Sequence, residues 1–185
     1  MLPDKFDKIS RLVRKGLQRK GTDVLGVLPY NPMLARPTIE QILEETGFQL
    51  LCGREYLDRF VAKVIVAAME PCDAVRYISE DTLIITPGDR EDMIMSALSC
   101  FRDCNIKLKI CGLILSGGIT PQPPVMNLLS KAGIPVLLAK LDTYAVATSV
   151  YGLTVKIRPR DKEKINAVVK LIRENVDFKK ILKGI

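Results

Sequence analysis

Three short polar turns, each close behind an apolar run, hold the side chains best suited to recognition or chemistry. They offer carboxylates, a guanidinium, hydroxyls and glycine amides, which bind ligands through charge and hydrogen bonds. Turns that follow strands are also the usual ligand position in open α/β sheets. We therefore predict a ligand site built from these turns. Its candidate ligand-binding residues are Asp89, Arg90, Ser116, Gly117, Gly118, Thr120, Asp142 and Thr143.

Alternating strand and helix patterns position these turns. Apolar runs bounded by turn residues predict strands at 23–29, 49–52, 61–69, 82–86, 110–115, 134–139 and 153–157. Helices are predicted at 3–20, 72–78, 89–104, 120–132, 142–150 and 161–175. A further helix is predicted from Ile39 to a stop at Gly47, with Thr38 and Gln41 forming a capping box at its start. The alternation predicts an α/β fold with a layered, mainly parallel sheet and helices on both faces. Parallel connections place every such turn at one edge, so the three turns should converge.

Asp89 and Arg90 each have a structural and a functional interpretation. Asp89 is a suitable N-cap for the following helix, and acids there suit the positive end of the helix dipole but oppose a bound anion. The rigid fork of Arg90 suits a carboxylate or phosphate ligand. Alternatively, Arg90 forms an ion pair with Glu91, Asp92 or Asp142.

The residues of the two later turns also have both a structural and a functional interpretation. Gly117 and Gly118 permit positive φ after a strand, and they also allow backbone amides to approach an anionic ligand. Asp142 and Thr143 are most simply a helix cap, and Tyr144 is an amphipathic rim residue. The functional case therefore rests on the convergence of the turns.

Residues for catalysis or metal binding are not evident. The sequence has no histidine for general base work and no G-x-S-x-G nucleophile motif. The five cysteines are odd in number, which favours reduced thiols. Cys100 and Cys104 lie one helical turn apart, but no second pair completes a tetrahedral metal site, so we interpret them as core residues. We predict no catalytic residue, metal or cofactor.

The net charge of +7 is unevenly distributed. Residues 1–20 hold seven Lys and Arg against two Asp, a net charge of +5. Such a helix can contact nucleic acid or an anionic surface. Its apolar residues recur at helical spacing, however, which favours a helix docked on a core with a solvated basic face. This apolar stripe consists of Phe6, Ile9, Leu12, Val13 and Leu17.

The composition also indicates the cellular compartment and whether a membrane or nucleic acid is a partner. No apolar run reaches the ~20 residues that span a bilayer, and no signal peptide opens the chain. We expect a soluble cytoplasmic protein without a membrane partner. With few aromatic residues and no recognisable nucleic-acid module, nucleic acid is not expected as a partner either.

The motif GDR-E-D, followed by LILSGG and a later DTY, resembles the DRTGG domain family. The matching residues are Asp89, Arg90 and Ser116–Gly118, with serine in place of the family's threonine. The preceding GVLPYNPMLARPTIEQILEETG resembles the end of the dethiobiotin-synthetase-like part of phosphotransacetylase-type proteins. The resemblance covers roughly residues 24–165.

The resemblance implies a fold similar to the amino-terminal domain of HPr kinase, a regulatory position beside enzymatic domains, and common dimerisation. It divides the chain into a remnant of a P-loop domain at 1–36, a DRTGG-like domain at 37–160, and a C-terminal helix and tail at 161–185. The phosphate-binding motif G-x-x-x-x-G-K-[ST] of that P-loop domain does not occur in this sequence.

We therefore expect a non-catalytic regulatory or ligand-sensing domain. It would bind a nucleotide or anionic metabolite at the strand edge, act as a homodimer, and modulate a partner enzyme. One alternative is a small phosphoryl- or acyl-transfer enzyme related to phosphotransacetylase or CbiA-like synthases. A second is nucleic-acid contact through the basic N-terminal helix.

Overall fold

The computed structural model describes residues 5–102 and 110–183. The backbone contacts divide the chain into two compact units. Unit 2, Arg36–Val155, is continuous in sequence, whereas unit 1 combines Met1–Ala35 with Lys156–Ile185. All three predicted ligand-binding turns belong to unit 2.

Unit 2 contains a five-stranded sheet. Its strands are β1 (Gln49–Cys52), β2 (Lys63–Val66), β3 (Thr82–Pro87), β4 (Ile110–Ser116) and β5 (Val136–Leu138). They lie in the order β1-β5-β4-β3-β2. The strands β2 to β5 pair in parallel, and β1 runs antiparallel to β5. This confirms the predicted α/β class and mainly parallel sheet.

The helices of unit 2 are α2 (Ile39–Thr46), α3 (Pro71–Ala74), α4 (Glu91–Arg102), α5 (Pro123–Lys131) and α6 (Thr143–Tyr151), with short 3-10 turns at Arg54–Tyr56 and Val75–Tyr77. The predicted capping box of α2 is present, since Thr38 and Gln41 each bond the other's backbone amide. Gly47 ends α2 in the left-handed conformation, as predicted.

Apolar side chains cover both faces of the sheet. Alternate residues of β3 point to opposite sides, so Ile84 packs in a core with Met93 of α4. Leu83 and Ile85 pack in the other core, with Val146 of α6. Helices therefore cover both faces, as predicted. The turns that follow the strands lie between these two layers of helices.

Unit 1 contains α1 (Phe6–Gln18), a 3-10 turn at Pro32–Ala35, α7 (Lys162–Asn175) and α8 (Phe178–Lys183). The predicted strand at 23–29 is wrong, because this segment forms only one isolated bridge, between Gly26 and Val176. A Cβ at position 26 would lie 2.5 Å from the Asn175 carbonyl oxygen, so close packing of two backbones replaces a strand ladder there.

Two further strand predictions need correction. The predicted edge strand at 153–157 is wrong: these residues are irregular, and β1 and β2 occupy the two edges of the sheet. The predicted strand at 61–69 is shortened to β2. It stops because the Ala68 amide turns back to the Val66 carbonyl, just before Pro71 starts a helix.

The expected docking of α1 on a core is not seen within unit 1. None of its residues is buried, although the apolar stripe and the basic face lie on opposite sides of the helix as predicted. Leu12 is the most exposed member of the stripe, with 61% of its surface accessible. Helical periodicity predicted the helix correctly, but it cannot state what the apolar face contacts.

Candidate ligand site at the carboxyl edge of the sheet

The three predicted turns meet at the carboxyl edge of the parallel strands. The Gly88 amide donates a hydrogen bond to the Ser116 carbonyl over 3.2 Å, which joins the first turn to the second. The Ser116 Oγ and Thr143 Oγ1 atoms are 2.7 Å apart, which joins the second to the third. We call the eight candidate residues the carboxyl-edge surface; their ligand binding stays a prediction.

Close backbone packing holds the first two turns together. A Cβ at Gly88 would lie 1.7 Å from the Ile119 carbonyl oxygen, far inside van der Waals contact. Only glycine therefore allows the residues after β3 to lie against those after β4. Local sequence indicated a turn at Pro87-Gly88, but the need for glycine comes from a segment about 30 residues away.

The glycine pair after β4 does not offer its amides to an anion. Gly117 and Gly118 both have positive φ, as predicted. Their amides donate to the carbonyls of Leu141 and Ala139 at 2.7 and 2.8 Å. Backbone acceptors from the β5–α6 connection occupy both amides, as the structural interpretation of the pair expects, and a ligand-binding role of Gly117 and Gly118 stays a prediction.

Arg90 forms the ion pair that was one of its two interpretations. Its Nε and Nη2 atoms each lie 2.9 Å from one oxygen of Asp92, and Nη2 also donates to the Met69 carbonyl. The Arg90 hydrogen bond lowers the pKa of the Asp92 carboxyl, and the same bond raises the pKa of Arg90. Nη1 remains as the donor with no protein contact described.

Asp89 is not the N-cap of α4. The helix begins at Glu91, and the Arg90 carbonyl accepts the first helical bond, from Ile94. Asp89 thus lies one residue too early for its carboxylate to reach the first free amides. Its side chain is exposed, and the structure records no bond to it within the described residues. The carboxylate is available to a ligand or partner.

Asp142 is the predicted cap of α6, and its carboxylate accepts a 2.9 Å bond from the Ala145 amide. Thr143 instead turns its hydroxyl to Ser116. Tyr144 follows directly, and the residue is 82% exposed. The aromatic ring is therefore presented beside the anchored Ser116–Thr143 contact.

Other residues of this edge were not predicted from the sequence. Glu91 accepts a 2.7 Å bond from the Gln122 amide and so ties α4 to the connection before α5. Ile119 and Leu141 leave large apolar surfaces exposed there. A search for polar motifs misses such residues. The signal that could have found them is the occurrence of apolar residues in turns between predicted helices and strands. Thr120 is exposed, just before the proline-led start of α5.

Thr86, near the end of β3, carries a fully buried hydroxyl without a hydrogen-bond partner. It shares a sheet face with Ile84, whereas Ser116 follows Ile114 on the opposite face. Thr86 is therefore not part of the hydroxyl pair. Its sequence position next to Pro87 gave no sign of this isolation.

Metal binding finds no support within the residues described. No group of three or more His, Cys, Asp or Glu side chains is placed to hold a metal ion there. Cys104 and the side chain of Cys100 lie outside the described part of the chain. Burial raises the pKa of the Cys111 thiol to about 12, and its Sγ donates to the Asp81 carbonyl. No helix among the described residues has the length and apolarity to cross a bilayer.

The site and sheet define a mixed α/β domain whose parallel strands end in interlocked turns. Residues 41–153, more than half of the chain, match the DRTGG domain family, and the chain belongs to that family. The predicted resemblance is thereby confirmed.

Full-length relatives are much longer than this chain. It is 36% identical over 154 residues to a phosphate acetyltransferase of Nitratidesulfovibrio vulgaris, a match covering 82% of this chain and 22% of the relative. A phosphate acetyltransferase of Synechocystis sp. is 32% identical over 162 residues, covering 86% and 23%. The chain thus spans about a fifth of the length of these curated relatives.

A solved structure has the same fold. It contains the CBS and DRTGG domains of the regulatory region of Clostridium perfringens pyrophosphatase, complexed with its activator, diadenosine tetraphosphate. The TM-score is 0.54 at 21% identity, over 81% of this chain and 74% of that one. At this identity the similarity establishes the fold alone.

Proposed function

We infer that this chain is a non-catalytic regulatory module that senses a nucleotide or another anionic metabolite at the carboxyl-edge surface and modulates a partner enzyme. The observation that carries the proposal is the interlocking of three turns around the Ser116–Thr143 contact. Such a surface couples segments from three strands. We therefore expect a ligand that binds at one turn to change the positions of the other two.

The free groups at this edge favour recognition of a nucleoside part over a bare phosphate. The Asp89 and Asp142 carboxylates are exposed and oppose an anion close by, but they accept hydrogen bonds from ribose hydroxyls. The Tyr144 ring offers a stacking face for a base. Nη1 of Arg90 is the donor available to a phosphate group at the margin of the carboxyl-edge surface.

The class of ligand also has support from the fold relative, whose regulatory region was solved with a dinucleotide activator. The class of partner has support from the sequence relatives, which are named phosphate acetyltransferases. Our proposal is therefore that the partner is an enzyme of acetyl phosphate or related metabolism. Catalysis would reside in that partner.

A thermal-shift screen of nucleotides and central metabolites tests ligand sensing. We expect at least one nucleotide to raise the melting temperature of the wild type, with a smaller shift in Arg90→Ala and Asp89→Asn. Lys131→Ala is the matched control and should leave the shift unchanged. Lys131 is an exposed cation in the last turn of α5, near the amino ends of the parallel strands and away from the proposed site. Equal shifts in all four proteins, or none, would contradict the site.

The enzymatic alternative has a direct assay. Purified chain is incubated with acetyl phosphate and coenzyme A, and acetyl-CoA is followed over time. We expect no turnover by the chain alone. Steady turnover that survives further purification would replace the regulatory proposal with a transferase.

Dimerisation is a separate proposal, supported by exposed large apolar residues on the described surface of unit 2 outside the carboxyl-edge surface, including Val66 and Tyr77. Light scattering at micromolar concentration should give twice the chain mass of 20.6 kDa. A mass of one chain would refute the homodimer without affecting the ligand proposal.

A further inference from the structure

The two units carry opposite net charges. Unit 1 brings together both ends of the chain, which contain 17 Lys and Arg against seven Asp and Glu, a net charge of +10. Unit 2 has 11 against 14, a net charge of −3. The net positive charge of the protein therefore comes from one compact unit. The sequence revealed only its N-terminal part, because the second half lies about 135 residues further along.

Unit 1 also exposes aliphatic side chains beside this charge. The stripe of α1 is accessible at Ile9, Leu12, Val13 and Leu17. Lys8, Arg11 and Lys15 lie on the polar side of the same helix. A short basic helix, α8, exposes Phe178 and, at 73%, Leu182.

Specific contacts place α8 beside the chain that follows α1. The Asp177 amide donates to the Leu25 carbonyl over 2.8 Å, and Lys180 Nζ lies 3.1 Å from a carboxylate oxygen of Asp23. Arg14 Nη1 donates to the neighbouring Val24 carbonyl. A small open cavity of about 120 Å³ lies here, lined by Arg14, Gln18, Asp23, Val24 and Lys180.

The partner of this unit must accept both cations and aliphatic side chains. Nucleic acid satisfies the charge, but it leaves the aliphatic stripe without a favourable contact. An uncharged apolar groove satisfies the stripe and not the charge. An anionic lipid surface satisfies both, since leucines enter the acyl boundary while Lys and Arg remain among the phosphates.

We propose that unit 1 binds the surface of an anionic phospholipid bilayer. The stripe of α1 lies in the interface. Arg14 and Lys180, which line the cavity, contact headgroup phosphates. Binding is peripheral, because no described helix is suited to cross the bilayer. This surface belongs to unit 1, whereas the carboxyl-edge surface belongs to unit 2.

Vesicle flotation with the full chain tests the proposal. We expect binding to phosphatidylcholine–phosphatidylglycerol vesicles at least about tenfold stronger than to phosphatidylcholine alone, weakening as salt is added. Leu12→Gln should reduce binding about tenfold or more, because an exposed leucine loses its burial in lipid without disturbing the fold. Lys8→Gln and Lys15→Gln should each reduce binding about fivefold.

Leu128→Gln is the matched control, since Leu128 is an exposed helical leucine of unit 2 and should leave binding unchanged. Equal binding to both vesicle types, or binding indifferent to Leu12→Gln, would overturn the proposal. So would salt-sensitive binding of duplex DNA or RNA that Leu12→Gln does not affect, with no binding to vesicles. Because the nucleotide screen contains no lipid, either proposal can fail without the other.

Discussion

The hydroxyl oxygens of Ser116 and Thr143 lie 2.7 Å apart and connect the end of β4 to the start of α6. Ser116 is almost fully buried. The hydroxyl is thus a structural link between two of the three turns at the carboxyl-edge surface.

We expect this contact to be measurable as a coupling energy. Ser116→Ala and Thr143→Val should each destabilise the protein, and the double variant should lose less than their sum. A net coupling of about 1 kcal/mol is expected for one hydrogen bond. Urea unfolding of the four proteins gives the value. Thr148→Val, an exposed position of the same helix, is the control, and strict additivity would contradict the link.

Thr86→Val should stabilise the protein by about 1 kcal/mol, because the buried Thr86 hydroxyl has no hydrogen-bond partner and valine has nearly the same shape. Denaturant unfolding of the two proteins is the measurement. A clear loss of stability would show that the hydroxyl has a partner in solution.

Gly88→Ala should destabilise by at least about 2 kcal/mol, because the added methyl collides with the Ile119 carbonyl and separates two turns. Gly16→Ala is the matched change in open space, where no atom lies within 4 Å of the new Cβ. This substitution should raise the free energy of unfolding by about 0.5–1 kcal/mol, because alanine has a higher helix propensity than glycine. Thermal unfolding distinguishes the two, and similar effects would contradict the close approach.

The Arg90–Asp92 pair should stabilise the fold above about pH 4 and not in acid. Asp92 has a lowered pKa in the folded protein, so its contribution is present above the unfolded pKa and is lost as pH falls through the folded pKa. The melting-temperature difference between wild type and Asp92→Asn should therefore shrink from about pH 6 to about pH 3. The pair is largely solvent-exposed, so the difference should be small and salt-sensitive. A constant difference would contradict the assignment.

Cys111 should resist alkylation in the native protein while exposed Cys72 reacts. Burial raises the pKa of Cys111 to about 12, so little thiolate exists at neutral pH, and the side chain is inaccessible. Iodoacetamide labelling with peptide mass spectrometry measures both sites. Denaturant should equalise them, and equal rates without denaturant would show that the core around β4 opens readily.

The sequence by itself determined the fold class, the capping box of α2, the cap at Asp142 and the meeting of three turns. These features depend on local patterns and on the shared direction of parallel strands. The strands at 23–29 and 153–157 were mispredicted because a short apolar run forms a strand only where a ladder partner exists.

Only the tertiary structure decided which polar groups remain available. The amides of Gly117 and Gly118 are occupied by carbonyls of the β5–α6 connection, and Arg90 is turned to Asp92, while Asp89 is left exposed. It also joined the two ends of the chain into one basic unit and left the stripe of α1 uncovered. Sequence spacing fixes which groups share a face, but hydrogen-bond partners and burial depend on residues distant in the chain.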